Sequence, residues 1–138
     1  MLLFGRITYE GMASYWKAAQ GEVADYMNKL PKIVFSSTLD RAYWANTTLV
    51  PGDAVTAVRE LKRQESEDIF VFGSGKLCAA LLQAGLFDEV RLALVPLVLG
   101  RGATLFGRGL SRVNMNLLEA RPLSNGCVIL RYEPQPGA

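Results

Sequence analysis

Three short segments of this chain combine glycine, hydroxyl and basic side chains in a pattern that could bind phosphate groups. The first segment follows an apolar stretch and consists of Gly5, Arg6, Ile7 and Thr8. Glycine lets the chain turn, and the first amides of a following helix bind phosphate through unpaired N–H groups and the positive end of the helix dipole. Arg6 adds a guanidinium group suited to a phosphate monoester. An ordinary turn with a solvated arginine explains the same residues equally well.

The second segment consists of Phe72, Gly73, Ser74, Gly75, Lys76 and Leu77. Its two glycines allow the backbone to approach a diphosphate, and Ser74 can cap a helix that follows. It is not a Rossmann fingerprint, because cysteine occupies position 78, where the third glycine would stand. It is not a P-loop either, because Phe70 and Leu77 stand where glycine and a hydroxyl residue are required. Taken alone, this segment is favoured to be a plain tight turn.

The third segment carries three hydroxyl side chains in succession, on Ser36, Ser37 and Thr38. Hydroxyl groups can donate hydrogen bonds to a phosphate, although a polar strand end needs no ligand to explain it. All three segments follow a predicted strand. Open α/β sheets bind ligands at the carboxyl ends of parallel strands, so this common placement strengthens each candidate.

The strands and helices around these segments are predicted from the spacing of apolar residues along the chain. Apolar stretches of strand length alternate with stretches of helical period, which predicts the α/β class. Predicted strands cover residues 2–4, 32–35, 48–50, 69–72, 89–95, 114–120 and 127–132, and predicted helices cover 8–18, 23–30, 53–64 and 75–84. Asn125 and Gly126 form a hairpin signal between the last two strands. The sheet is therefore predicted to be mixed, with parallel strands first and an antiparallel hairpin last.

Composition excludes several classes of function. The 138 residues are 50% hydrophobic and 20% charged, which is typical of one folded domain. A net charge of +2, with scattered basic residues, gives no support for a nucleic-acid partner. The chain has no histidine, which excludes a histidine-based triad and argues against a metal site. Cys78 and Cys127 are predicted to be buried, reduced thiols. With no signal-peptide core or membrane span, a cytoplasmic location and no membrane partner are predicted.

The three segments, in this order, resemble the dihydrofolate reductase superfamily. Three further stretches narrow the resemblance: residues 85–92 (GLFDEVRL), 95–102 (VPLVLGRG) and 105–106 (LF). They are similar to the branch formed by the C-terminal reductase domain of the bifunctional riboflavin-biosynthesis deaminase-reductase and its stand-alone relatives. The resemblance spans residues 2–134 and leaves 135–138 as a tail. It implies a three-layer α/β/α fold with a mixed sheet.

The resemblance also implies a cofactor, NADPH, and an oxidoreductase activity on a small nitrogen heterocycle or ribosylated pyrimidine. Arg6 matches the position that meets the 2′-phosphate, and Ser36 and Ser37 match the hydroxyl pair beside that phosphate. Gly5, Ile7 and Thr8 match the helix start, and the segment from Phe72 to Leu77 matches the loop along the diphosphate. No catalytic residue can be assigned. The alternative is a nucleotide-binding or structural remnant without turnover.

One departure from the family concerns the start of the chain. Family members carry a strand, a mobile loop and a helix before the glycine-arginine motif, so this sequence is a fragment, a mis-started reading frame or a shortened member. The absent strand would lie between the predicted strands 69–72 and 89–95. Unpaired strand edges recruit other chains, which predicts that the chain is either part of a longer protein or a homo-oligomer, such as a dimer. Turnover in isolation is predicted to be poor.

Overall fold

Parallel strands come first and antiparallel strands last in a computed structural model of the chain, which describes residues 1–64, 67–106 and 109–135. The strands are β1 (Leu2–Gly5), β2 (Lys32–Phe35), β3 (Thr47–Val50), β4 (Phe70–Val71), β5 (Val90–Leu94), β6 (Met115–Pro122) and β7 (Val128–Pro134). The helices are α1 (Arg6–Trp16), α2 (Glu22–Lys29), α3 (Ala54–Gln64) and α4 (Gly75–Gln83). The chain divides into two compact units, unit 1 (Met1–Cys78) and unit 2 (Ala79–Ala138).

The sheet of unit 1 is parallel and has the strand order β3-β2-β1-β4. Gly5, the last residue of β1, stands opposite Phe35, the last residue of β2. On the other side of β1, Leu3 is paired with Val71 at the end of β4. The carboxyl ends of β2, β1 and β4 therefore lie side by side, and each leads directly into one of the three candidate segments.

The core of unit 1 lies between the sheet and its helices and is rich in aromatic rings. Phe4 and Tyr9 are fully buried, and their ring centroids lie 5.9 and 6.2 Å from that of Trp44. The Tyr9 hydroxyl accepts hydrogen bonds from the backbone N–H groups of Tyr43 and Trp44, at 2.9 and 2.8 Å. These bonds satisfy the buried hydroxyl and fasten the loop before β3 to the base of α1, which fixes the helix start at the end of β1.

Helix α3 begins where the sequence predicts. The Asp53 carboxylate accepts hydrogen bonds from the backbone N–H groups of Val55 and Thr56, so it caps the helix. These bonds, together with one from the Thr56 hydroxyl, lower the pKa of Asp53. Val58 of α3 is buried.

Unit 2 contains an antiparallel sheet with the order β5-β7-β6. A hairpin turn joins β6 to β7, and it is closed by a hydrogen bond from Leu123 N to Cys127 O. Within the turn Gly126 adopts a left-handed conformation (φ 85°), and the Asn125 side chain accepts a hydrogen bond from Cys127 N. The Asn-Gly hairpin signal is therefore confirmed.

Ion pairs cross the unit 2 sheet at the start of β5. The Arg131 guanidinium donates two hydrogen bonds to Glu89, at 2.7 and 2.8 Å, in a bidentate arrangement. Arg91 also bonds to Glu89, and these two partners lower the pKa of Glu89 to about 2. Glu89, the residue before β5, therefore ties β5 to the central strand β7.

The predicted α/β class and the change from parallel to antiparallel strands are confirmed, but the strands form two sheets and not one mixed sheet. Strands β4 and β5 each end their own sheet, and within the described residues no strand pairs with their outer edges. The predicted element bounds differ from the observed ones by at most two residues. Pro134 belongs to β7, and Gln135 N donates to Asn114 O; the rest of the predicted tail, 136–138, lies outside the described residues.

Other sequence predictions concern side-chain chemistry. Both cysteines are free thiols, but Cys78 and Cys127 are partly buried and not fully enclosed. Among the described residues no cluster of acidic or cysteine side chains could hold a metal ion. None of the described helices is long and apolar enough to cross a membrane.

Candidate functional site

A hydrogen bond joins the first and second candidate segments directly. The Gly5 N–H donates to Ser74 Oγ at 2.9 Å, although 69 positions separate the two residues. A Cβ on Gly5 would lie 3.4 Å from that oxygen, which is van der Waals contact, so the turn packs closely against the end of β1. The Ser74 hydroxyl, directly before α4, is therefore fastened to the end of β1.

The turn between β4 and α4 carries two consecutive residues in the left-handed region. Gly73 has φ 55° and Ser74 has φ 58°. Glycine adopts this conformation without penalty, whereas serine is strained by about 1–2 kcal/mol. The hydrogen bond to Gly5 offsets the strain at Ser74. Strained backbone is concentrated at ligand-binding sites, so the strain at Ser74 supports a binding role for this turn independently of its glycines.

Cys78 holds the same turn from the first turn of α4. Its thiol donates a hydrogen bond to the Gly73 carbonyl oxygen at 2.6 Å. Burial raises the pKa of the Cys78 thiol, which keeps the proton that this bond requires. The cysteine that breaks the Rossmann pattern therefore stabilises the turn.

Helix α1 begins at Arg6, and the backbone N–H groups of its first turn could bind an anion. Gly5 is its N-cap, no side chain caps the helix, and its first turn contains no acidic residue. The first amides of an uncapped helix need acceptors, and water or an anion must supply them. A Cβ on Gly73 would lie 3.7 Å from the Thr8 methyl group, so the second candidate segment faces this first turn.

The Arg6 guanidinium is paired within its own helix. Its Nη1 donates to Glu10 Oε2 at 3.0 Å, and the two side chains are 43% and 39% exposed. An exposed i,i+4 pair is worth only a few tenths of a kcal/mol, so an incoming phosphate dianion can compete for the arginine. The sequence prediction began α1 at residue 8. It therefore did not place Arg6 and Glu10 on one face of the same helix.

The third candidate segment forms a compact turn at the end of β2. Ser36 Oγ accepts hydrogen bonds from Thr38 N at 3.2 Å and Leu39 N at 3.0 Å. Ser36 Oγ also lies 3.4 Å from Thr38 Oγ1, and either hydroxyl could be the donor of this hydrogen bond. The side chains of Ser37 and Thr38 are exposed. Hydroxyl donors are therefore available at this strand end, although the Ser36 oxygen already serves the turn.

The other predicted site residues differ in exposure. Ile7, Phe72, Gly75 and Lys76 are exposed at the strand ends, whereas the Leu77 side chain is buried. Leu77 therefore packs in the interior, and only its backbone could meet a ligand. The three predicted segments lie at one end of one sheet. The structure adds three contacts that the sequence did not predict: the hydrogen bond between Gly5 and Ser74, the pairing of Arg6 with Glu10, and the hydrogen bond from Cys78 to Gly73.

Comparison with known proteins gives the family. The family model of the RibD C-terminal domain matches residues 1–129. The chain belongs to the RibD C-terminal domain family. Among curated proteins, this RibD C-terminal domain chain is 28% identical over 137 residues to the uncharacterized protein YyaP of Bacillus subtilis, and the match covers 95% of the chain and 72% of YyaP.

Solved structures share the fold of this family member. A putative riboflavin biosynthesis protein from Shewanella sp. PV-4 superposes with a TM-score of 0.80 at 22% identity, covering 98% of the chain and 73% of that protein. A pyrimidine reductase-like protein from Corynebacterium diphtheriae gives 0.72 at 12% identity, covering 99% and 76%. The deaminase/5-amino-6-(5-phosphoribosylamino)uracil reductase of Thermotoga maritima gives 0.65 at 17% identity, covering 97% of the chain and 45% of that protein. The resemblance to reductase domains is confirmed at the level of fold and family.

Proposed function

We propose that this chain binds NADPH at the carboxyl ends of β2, β1 and β4 and transfers its hydride to a small nitrogen heterocycle or a ribosylated pyrimidine. The hydrogen bond from Gly5 N to Ser74 Oγ carries the proposal, because it brings the uncapped start of α1 and the left-handed turn before α4 to one place. Membership of the RibD C-terminal domain family supports the reaction class.

The residues present fit the phosphates of a dinucleotide. The amides at the start of α1 and the exposed guanidinium of Arg6 supply donors for one phosphate group. The backbone of the Gly73-Ser74 turn can lie against the diphosphate, because no Cβ projects from Gly73 toward Thr8. Exposed hydroxyls on Ser37 and Thr38 add neutral donors at the neighbouring strand end.

The role of these residues is binding and orientation. The bound nicotinamide supplies the hydride, and the protein fixes its position relative to the acceptor. Arg6 is assigned to the 2′-phosphate, which distinguishes NADPH from NADH. On phosphate binding, Arg6 exchanges its contact with Glu10 for a contact with the ligand. Glu10 is then left in water at the exposed helix surface, where losing its partner costs little.

Titration with NADPH and NADH tests the cofactor proposal. We expect wild type to bind NADPH more tightly, and Arg6→Ala to lose about ten- to a hundredfold in NADPH affinity while NADH affinity changes little, because one charge-assisted hydrogen bond is worth roughly 1.5–3 kcal/mol. Arg63→Ala is the matched control, because Arg63 forms a similar exposed pair with Glu60 on α3. Equal affinity of wild type for the two cofactors, or an unchanged preference in Arg6→Ala, would contradict the assignment.

Turnover is tested separately, by NADPH consumption with 5-amino-6-(5-phosphoribosylamino)uracil or dihydrofolate as acceptor. Consumption that depends on one of these acceptors is the expected result. Tight NADPH binding with no NADPH consumption in the presence of these acceptors would support the proposed cofactor site. It would contradict the proposed hydride transfer.

A further inference from the structure

An acidic side chain stands beside the arginine that is assigned to the 2′-phosphate. Glu10 follows Arg6 by four positions on α1, and its Oε2 accepts a hydrogen bond from Arg6 Nη1 at 3.0 Å. Glu10 is the only acidic residue of this helix, whose first turn carries no acid of its own. The negative charge of the helix is therefore concentrated one turn away from the proposed phosphate position.

The surroundings of Glu10 offer it no replacement for Arg6. Among the residues that the structure describes, its one ion pair is with Arg6. Lys17, the next basic residue along the chain, lies 5.2 Å from the centre of the Tyr43 ring and donates to the Tyr43 carbonyl oxygen at 3.4 Å. Burial raises the pKa of the Tyr43 hydroxyl, and the nearby charge of Glu10 raises it further. Loss of Arg6 would thus leave the Glu10 charge without a neutralising partner.

A phosphate at Arg6 meets Glu10 in either of two arrangements. Arginine has five N–H donors, and Glu10 accepts from one nitrogen of Arg6. A phosphate that binds the remaining donors lies close to the carboxylate, and the two anions repel each other. A phosphate that takes all the donors must first displace the carboxylate. Glu10 opposes phosphate binding in both cases, by repulsion or by competition for the guanidinium.

Repulsion is the larger of the two effects. Both side chains of the ion pair are partly exposed, so breaking the pair reduces affinity by only about twofold. A carboxylate and a phosphate dianion separated by about 6 Å in water repel each other enough to reduce affinity roughly tenfold before salt screening. The ribose of NADH carries a neutral hydroxyl at the same position and escapes this repulsion.

We propose that Glu10 is a specificity-determining residue, which limits the preference for NADPH over NADH by opposing the 2′-phosphate at Arg6. This inference rests on the proposed function, because it requires the 2′-phosphate to bind there. Arg6 and Glu10 then act in opposite directions on the same group of the cofactor. The selectivity of the site reflects the difference between the attraction of one side chain and the repulsion of the other.

Titration of NADPH and NADH into wild type and Glu10→Gln tests the inference. Glutamine keeps the size of the side chain and removes its charge. We expect Glu10→Gln to bind NADPH about three- to tenfold more tightly at low ionic strength, while its NADH affinity changes less than about twofold. Glu60→Gln is the matched control, because Glu60 forms a similar exposed pair with Arg63 on α3. The control should keep the wild-type affinity for both cofactors.

Two further measurements separate this role from a structural one. The gain in NADPH affinity should shrink to less than about twofold at 0.5 M salt, because exposed charges are screened over a few ångströms there. Thermal unfolding of both variants should resemble that of wild type, because an exposed pair contributes little to stability. A purely structural role of the Arg6–Glu10 pair predicts weaker cofactor binding on its removal, which is the opposite direction.

The outcomes distinguish this inference from the proposed function. Failure of wild type to bind NADPH overturns both. NADPH binding by wild type, with unchanged or weakened NADPH affinity in Glu10→Gln, overturns the role of Glu10 alone. An equal gain for NADPH and NADH, or a gain that high salt does not reduce, also overturns it. A gain that is selective for NADPH, sensitive to salt and absent from Glu60→Gln supports it.

Discussion

Lys32, on β2, is the only buried charged side chain among the described residues. Its ammonium group donates to the carbonyl oxygens of Asn28 at 3.2 Å and Leu30 at 2.6 Å and lies 4.6 Å from the centre of the Trp44 ring. These contacts compensate the charge at the C-terminal end of α2, but no carboxylate accompanies it in these contacts. Burial lowers the pKa of Lys32 to about 8, from an ordinary value of 10.5.

This shift predicts an alkaline gain in stability. The unfolded chain keeps the lysine proton up to about pH 10.5, whereas the folded chain releases it near pH 8. The unfolded state therefore binds more protons between these two values, so the free energy of unfolding should rise with pH in this window. Lys32→Met removes the effect. We expect the wild type to gain on the order of 2–3 kcal/mol relative to this variant between pH 8 and pH 10.5.

Urea denaturation across this pH range measures the difference. Lys29→Met is the control, because Lys29 is an exposed lysine near the same helix end, and its profile should follow that of wild type. Parallel profiles for wild type and Lys32→Met would show that the buried ammonium keeps its ordinary proton affinity. The sequence alone did not single out Lys32, because an apolar strand that opens with lysine usually places that side chain in water.

Among the elements, the turn between β4 and α4 bears most directly on the proposed function. Gly73 there has a left-handed backbone, and its missing Cβ leaves the approach between the turn and Thr8 open. Gly73→Ala should reduce NADPH affinity about tenfold or more, which corresponds to roughly 1.4 kcal/mol. It should also destabilise the fold by about 1–2 kcal/mol, because alanine is strained at positive φ.

Gly85→Ala separates the two effects. Gly85 also has a left-handed backbone, at φ 66°, and no atom lies near the position of its Cβ. It should cost similar stability in thermal unfolding while cofactor affinity, measured by fluorescence titration, stays at the wild-type value. If both variants lose affinity in proportion to stability, the Gly73 turn is a structural element and not a binding element.

Sequence patterns located the elements well because the information for them is local. Alternating periods, the Asp53 cap and the Asn125-Gly126 turn each lie within a few residues of the element that they define. The start of α1 was placed two residues late, because Gly5 is an N-cap without a capping side chain and gives no hydroxyl or carboxylate signal. That error hid the pairing of Arg6 with Glu10.

The contacts that build the candidate site are not local. Gly5 and Ser74 meet because β1 and β4 are neighbours in the sheet, and nothing in either segment specifies that pairing. The same limit applies to the division of the strands into two sheets. A strand pattern predicts which face of a strand is apolar, but it does not predict which strand lies beside it.

For the molecule as a whole, we propose that three strand ends of unit 1 form one cofactor site. Variants of Arg6 and Gly73 should therefore weaken binding of the same ligand, although the two residues belong to segments that are far apart in the sequence.

Mapping NADPH binding by amide chemical shifts of the isotope-labelled full chain tests whether the three strand ends form one cofactor site. We expect the largest shifts to fall together on amides of these strand ends, at Ile7 and Thr8, at Ser37 and Thr38, and from Ser74 to Leu77. We expect smaller shifts at Ile7 and Thr8 with NADH, which lacks the 2′-phosphate. Saturable binding whose shifts spare the start of α1 and the Gly73 turn would show that the cofactor binds elsewhere.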